Sequence, residues 1–540
     1  MARNSGVAYV EVAPCAPLGK RGRDTYTYFV FKDDDVGIGS VVKIPFGKRM
    51  IMGVVTVLDV QKPSYPTKQI SSITGVALTA LQIRYAQWIA YMAHGGFGFT
   101  ARLFLPPSFA KLKSHAQLRP PSPPPSPRIG RGKATAIIEK NPDTRRNMIA
   151  TLVRVRTGQT LVLVPEVAML DGYKKTFAVE IKNNTARVYH AGLSQSEKKE
   201  IWSAADSGQC QIIIGTQKAL FLPYRNLAGI IVDEEQNESY KLWDQYPRLY
   251  TVLGAETLAH LAGASLVYGS SHPSLRLLHA IAEKKCEALR NNPVSAHVEI
   301  YPFSFEDKKW KRIMPDELGS KVRMWARARK HVLLLFNKKD TAELKKSLFR
   351  KMSVSAKEHI YIGTMGILTN PPRKQFDYAV WLKPEWTLRA IDYRSAERAR
   401  ITVARMAGLT ASHDVFLGTR YGDVAKDVFA LSEEVWREKT YEERRRFHLP
   451  PYWQLVRLTI RDKTRAKAYA RAESVRGMID VLLDAKKSNT VAYGPYQELG
   501  AKKKEVHEYH ILLSGILEEL IPLYKDLPID SADVAPYRVV

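Results

Sequence analysis

The 540-residue sequence predicts a multidomain α/β protein: a small β-rich N-terminal domain, two parallel α/β lobes of which the second is reduced, and an α+β C-terminal domain. Three observations predict this. The length exceeds what a single hydrophobic core serves. Nearly continuous apolar runs, TLVLV, ARVYH, QIIIG, GIIVD and SLVYG, recur between 134 and 285. Their spacing leaves room for helices, as expected of parallel strands covered on both faces. A proline-rich stretch, RPPSPPPSP from Arg119 to Pro127, interrupts the chain before them.

The first unit, residues 1–110, carries the β-type runs VAYVEV, SVVKIPF and MIMGVVTVL. Gly47-Lys48-Arg49 joins the last two as a basic hairpin. Residues 80–94 place Leu81, Tyr85, Trp88, Ile89 and Met92 at helical spacing, predicting a helix that caps the sheet. Residues 111–133 can bury no core and form an extended linker, read as a spacer, with a proline-rich ligand for a partner protein as the other reading.

Residues 134–295 form the first α/β lobe, where Ser194 and Glu197 fit a capping box ahead of Ile201 and Trp202. Residues 296–424 form the second, with HVLLLF, HIYIG and YAVWL as strands. The last unit, 425–540, opens with the charged helix EEVWREKTYEERRRF and breaks at Leu449-Pro450-Pro451. Beyond it Val456, Leu458 and Ile460 alternate with Arg457, Thr459 and Arg461, predicting a half-buried strand with its basic residues in solvent.

Lysine and arginine number 82 against 54 aspartate and glutamate, a formal charge of +28. That excess calls for a polyanion. No run approaches the ~18 apolar residues of a spanning helix, so nucleic acid fits better than a membrane. MARNSGVAYVEVAP lacks a signal-peptide apolar region, and Cys15, Cys210 and Cys286 stand isolated, which suits a reducing cytoplasm and supplies no zinc site. His507 and His510 have no obvious third ligand and read as strand histidines.

Five segments stand in the order and spacing of motor motifs: VLVPEV (162–167), YHAGLS (189–194), IIIGTQKALFLP (212–223), IIVDEEQNESYK (230–241) and YGSSHPS (268–274). With YRSAERAR (393–400) they resemble the PriA (primosomal protein N′) family of superfamily 2 helicases, which restart bacterial replication. KIPFGKR resembles that family's DNA 3′-end-binding domain, and LPPYWQLVRL and YGPYQEL its C-terminal domain. The resemblance covers nearly the whole chain. It implies two RecA-like lobes, DNA that is forked or carries a 3′ end as partner, and single-strand-binding protein and replicative helicase-loading proteins as further partners.

The departures bear on activity. Where the family has a Walker A loop, residues 137–146 read IIEKNPDTRR, without glycine, and the lysine position falls on Pro142 or Asp143. A carboxylate there repels a phosphate by roughly 1 to 4 kcal/mol per charge pair at 4 Å. The family's QVAGRAGR becomes RMAGLTAS, Arg405 to Ser412, so its arginines are replaced by Leu409 and Ser412, while Arg405 sits four residues early, about one helical turn. The zinc-binding cysteine array expected after VLLLFNKK (332–339) and the winged helix expected near 111 are absent from the sequence.

Asp233 and Glu234 match the family's Mg²⁺-holding aspartate and water-orienting glutamate, with Gln236 replacing the following histidine. The reading preferred here is a strand-end acidic cluster paired with Lys241 or Arg248. LWDQYPRLY (242–250) resembles the family's aromatic-rich loop, in which Trp243, Tyr246 and Tyr250, beside Arg248, stack on unpaired bases or pack between lobes.

The family's pocket for a terminal 3′ nucleotide maps onto Tyr26, Thr27, Gly39 and Lys68, with Thr27 in place of a carboxylate. The same residues also read as ordinary strand aromatics and a surface charge. Lys43, Lys48 and Arg49, then Arg444 to Arg446, then Lys502 to Lys504, add basic clusters.

The expectation is a DNA-binding protein of branched or forked DNA that has lost ATP-driven unwinding and needs no cofactor. The alternatives are a working ATP- and Mg²⁺-dependent 3′-to-5′ helicase with a divergent phosphate loop, and a protein-recruiting scaffold.

Overall fold

A computed structural model describes residues 6–17, 24–108, 134–242, 247–292, 296–303, 314–336, 348, 353–369, 374–388, 392–486, 489–497 and 506–536. The proline-rich segment, Trp243, Tyr246 and Lys502 to Lys504 lie outside the described residues.

The first sheet contains β1 (Val7–Pro14), β2 (Tyr26–Phe31), β3 (Ser40–Phe46), β4 (Arg49–Val57), β5 (Lys68–Gln69) and β6 (Ser72–Ala77), in spatial order β5-β2-β1-β4-β3-β6. It curls until its two ends meet. The Tyr28 hydroxyl donates to the Pro45 carbonyl across 3.1 Å, and the Ser71 amide to the Lys43 carbonyl across 2.9 Å.

The second sheet is parallel throughout: β7 (Ala134–Glu139), β8 (Gln159–Leu163), β9 (Ala186–Tyr189), β10 (Ile212–Gly215), β11 (Leu227–Asp233), β12 (Ser265–Ser270) and β13 (Cys286–Asn292), in order β13-β7-β12-β11-β8-β10-β9. The capping box forms as the sequence predicts: Ser194 Oγ accepts from the Glu197 amide and the Glu197 carboxylate from the Ser194 amide. A second parallel sheet follows, β14 (His297–Pro302), β15 (Val332–Leu335), β16 (Ile360–Gly363), β17 (Tyr378–Leu382) and β18 (Asp414–Thr419), in order β14-β18-β17-β15-β16. Each parallel sheet carries apolar clusters on both faces, which explains why its strands read as unbroken apolar runs.

The last sheet is antiparallel: β19 (Gln454–Asp462), β20 (Val491–Tyr496), β21 (His507–Gly515) and β22 (Ser531–Val534), in order β20-β21-β19-β22. The helix Arg465–Lys486 packs on it. Here the sequence expectation needs correction. Arg457 and Thr459 point away from the apolar face of β19 but are buried, because a loop of the first lobe covers that side. Arg457 faces Asp533 at 3.5 Å and Thr459 faces His510 at 3.2 Å.

The Ala80–Met92 helix also does more than cap a sheet. Thr79 and Gln82 start it with a capping box, and Gln82 Nε2 donates to the Phe221 carbonyl in the first lobe. Tyr85 stacks among Trp88, Phe104 and Phe221, while Tyr524 of the last unit donates to the Met92 carbonyl. The helix therefore joins three sheets through one core. Among the described residues, no helix is long and apolar enough to cross a membrane.

Candidate nucleic-acid interface and the acidic cleft

The carboxyl ends of β7, β11 and β12 lie side by side, the edge at which open parallel sheets usually hold ligands. Asp233 ends β11, and Gly269 opposite it has no side chain because a Cβ would stand 2.4 Å from the Asp233 carboxylate. Glu234 follows at φ 53°, a left-handed conformation unusual for a non-glycine residue.

Both acids are buried, and their partner is Arg145, which also is buried. Arg145 Nε donates to Asp233 Oδ1 at 2.7 Å, Nη1 to the Glu139 carbonyl at 2.7 Å, and Nη2 to Glu234 Oε1. The remaining oxygens are satisfied as well. Tyr173 donates to Asp233 Oδ2 at 2.8 Å, and Ser271 Oγ and Gln236 Nε2 donate to Glu234 Oε2. Glu235 accepts from the amide and hydroxyl of Ser274. Burial pushes the Glu234 carboxyl up, but the charges of Arg145 and Arg405 outweigh it and hold it below the ordinary glutamate range.

The expected pairing of the acids with Lys241 or Arg248 is thus replaced by pairing with Arg145. Lys241 is spent elsewhere. Its Nζ donates to Asp533 Oδ1 at 2.6 Å, Val534 O at 2.7 Å and Arg248 O at 2.8 Å, and Arg248 lies 3.7 Å from the same aspartate. Tyr250 begins the Thr251–Ala262 helix, with Arg276 beside its ring at 6.0 Å. The described part of the aromatic loop is therefore anchored to the last sheet.

Arg145 belongs to the helix Pro142–Arg154, at the place where the sequence lacks a phosphate loop. Asn141 caps that helix, its Oδ1 accepting from the amides of Asp143 and Thr144 at 2.9 and 3.0 Å. Pro142 has no N–H to offer. The Glu139 side chain takes the Asn141 amide. A triphosphate with Mg²⁺ therefore does not fit these residues: the helix amides are already bonded, and a guanidinium occupies the carboxylates that would face the metal.

On the far side of the cleft, Arg405 donates to the Leu368 carbonyl at 2.7 Å, and its charge reaches Glu234 and His272. Leu409 and Ser412 turn instead toward Phe376 and Asp377. Glu397 ties the lobes together, accepting from the Leu275 amide at 2.9 Å and from Arg444 at 2.8 Å, and Arg398 reaches Glu238 at 3.0 Å. The Glu397–Arg444 pair is buried, whereas Glu238 in the other pair is half exposed.

The N-terminal cluster is built differently. Tyr26 opens β2 and its ring meets the Phe46 ring edge-on at 5.3 Å. Gly47 and Lys48 form the β3–β4 turn after Phe46, where Gly47 has φ 59° and open space beside it, and Arg49 opens β4 opposite Phe46. Lys68, on β5, is the register partner of Tyr28 and is exposed, as are Lys43, Lys48 and Arg49.

Gly39 is not part of this cluster. It precedes β3, whereas Phe46 ends it, about 20 Å further along a seven-residue strand. There Gly39 serves a turn at φ 92°, where a Cβ would meet the Leu78 carbonyl at 2.8 Å. Gly47 is the glycine beside Tyr26, and the quoted KIPFGKR contains the signal for it.

Thr27 has a carboxylate beside it after all: its hydroxyl donates to Glu11 Oε1 at 2.8 Å and lies 3.1 Å from the Tyr65 hydroxyl. Glu11 is the cross-strand partner of Thr27 on β1 and was not identifiable without the register.

A family profile described as the 3′DNA-binding domain of PriA matches residues 13–106. Replication restart protein PriA of Synechocystis sp. is 36% identical over 148 residues, covering 27% of this chain and 17% of that protein. Replication restart protein PriA of Rickettsia prowazekii is 22% identical over 356 residues, covering 59% of this chain and 52% of that protein. The chain thus spans about half or less of the curated relatives it matches. Among solved structures it is similar to RecG bound to a three-way DNA junction, with TM-score 0.35 and 15% identity over 68% of this chain and 46% of that one. The chain is thus similar to PriA replication restart proteins over part of its length, and residues 13–106 match the model of their 3′ DNA-binding domain.

Proposed function

We propose that this chain binds branched or forked DNA carrying a 3′ end, in replication restart, and does so without ATP-driven unwinding. The observation that carries the reading is Arg145, whose guanidinium lies on Asp233 and Glu234 in a cleft closed to solvent. A motor would have to expel it before each turnover. The N-terminal cluster, by contrast, keeps its cations exposed.

In this reading the Tyr26 ring and the opening at Gly47 receive a terminal nucleotide, with the Glu11 carboxylate and the Thr27 hydroxyl oxygen as acceptors for its polar edge. Lys43, Lys48, Arg49 and Lys68 neutralise phosphates, so affinity falls steeply with salt, with a slope near −0.9 per phosphate contacted on duplex DNA. A reducing cytoplasm suits the three buried, unpaired cysteines. Single-strand-binding protein and helicase-loading proteins are the further partners that the relationship suggests.

Fluorescent forks with and without a 3′ end at the branch, titrated at two salt concentrations, test the reading. Preference for the 3′-ended fork, lost in Tyr26→Ala and Lys68→Ala, supports it. No binding at low salt, or equal binding of both forks, removes it.

A further inference from the structure

The turn between the Glu433–Arg446 helix and β19 presents rings and cations that the fold leaves in solvent. The helix ends in three arginines. Arg444 is buried, with Glu397, the Tyr393 carbonyl and the Pro450 carbonyl as partners. Arg445 and Arg446 are exposed. Arg445 lies 4.8 Å over the Tyr452 ring and donates to its hydroxyl at 3.2 Å, and Arg446 lies 5.5 Å from the Phe447 ring.

Phe447 is 56% exposed, although it directly follows the helix. His448 after it takes φ 54°, a conformation that costs a non-glycine residue about 1 kcal/mol or more, and this turn sends the chain inward while Phe447 stays out. Across the turn, His279 of the first lobe meets Tyr452 at 4.8 Å. Lys285 lies close enough for its charge, with that of Arg445, to act on His279, and it is exposed. The neighbouring opposite charges are Glu283, Glu442 and Glu443, all exposed.

An apolar protein partner needs a contiguous apolar patch. Here each ring is flanked by a guanidinium or ammonium, a pattern that suits a ligand alternating flat rings with anions. We propose that Phe447, with Arg446 beside its ring and Arg445 on the nearby Tyr452 ring, is a contact surface for single-stranded nucleic acid, one base stacking on the Phe447 ring while the cations hold phosphates. The proposal rests on nucleic acid being the partner, but not on the N-terminal end site.

A circular oligothymidylate, which has no end for the N-terminal cluster to hold, separates the two. Full-length protein is titrated against the labelled circle by anisotropy at low and moderate salt. Phe447→Ala is expected to weaken binding roughly ten-fold, the scale of one stacked base. Phe447→Leu, which keeps apolar bulk for folding, is expected to weaken it comparably. Arg446→Ala is expected to lower the single-strand salt slope by about 0.7, and the remote Lys426→Ala to leave it unchanged.

Unchanged circle affinity in both Phe447 variants overturns the proposal, as does an acidic peptide that binds through Phe447 while the circle does not. If the circle result holds and fork preference for a 3′ end fails, only the N-terminal reading is lost.

Discussion

The acidic cleft and the N-terminal strand cluster both carry residues resembling a functional site, yet they differ in what those residues are free to do. In the cleft, every carboxylate oxygen of Asp233, Glu234 and Glu235 has a hydrogen-bond partner inside the protein. In the strand cluster, Lys43, Lys48, Arg49 and Lys68 face water, and Tyr65 is half exposed beside Thr27. Residue identity therefore says less than availability. An acid consumed by an internal arginine supports the fold, and a lysine in solvent remains open to a ligand.

The sharpest way to break this contrast is Arg145→Met. It leaves two carboxylates buried without their cation, which should cost about 3 to 5 kcal/mol in urea unfolding. Adding Asp233→Asn and Glu234→Gln to it should recover most of that loss. A cost below about 1 kcal/mol for Arg145→Met alone would mean the cleft is not held by this pair.

A second test uses protons. Burial pushes His272 down from 6.5 to about 4 in the folded protein. Because the unfolded chain takes up its proton first, stability is complete above about 6.5 and declines as pH falls toward about 4, by at most roughly 3 kcal/mol for this group. Glu234, held low by Arg145, adds its loss below about 4.5. His272→Leu should flatten the upper part of that decline in pH-dependent unfolding, whereas an unchanged curve would show that His272 is not held neutral.

On the strand cluster the expected effects are on binding and not on folding. Tyr26→Ala should weaken binding to a 3′-ended fork by about 1 to 3 kcal/mol, while Tyr26→Phe keeps it, since stacking needs only the ring. The smallest effect belongs to Lys48→Ala or Arg49→Ala. Each should reduce the salt slope by about 0.9 and move stability by no more than about 0.5 kcal/mol.

Much of the fold was legible because both parallel sheets are covered on two faces, so GIIVD, QIIIG and YAVWL announce themselves as β11, β10 and β17. ATAIIE at β7 and DVFLGT at β18 were harder, being flanked by segments read for motifs instead of strands. The cleft was half legible. Asp233 and Glu234 stood out at a strand end, but Arg145 lies 88 residues from Asp233 and belonged to a segment read for its missing glycines. Arg457 misled because alternation predicts which face a side chain takes, not whether another unit covers that face.

The most direct test of the account is DNA-stimulated ATP hydrolysis by the full-length protein, measured beside Asp233→Asn. The account predicts no turnover above background in either protein, with or without forked DNA. Turnover that rises with forked DNA and disappears in Asp233→Asn would contradict it, because it would require Arg145 to vacate the acids that it holds in this structure.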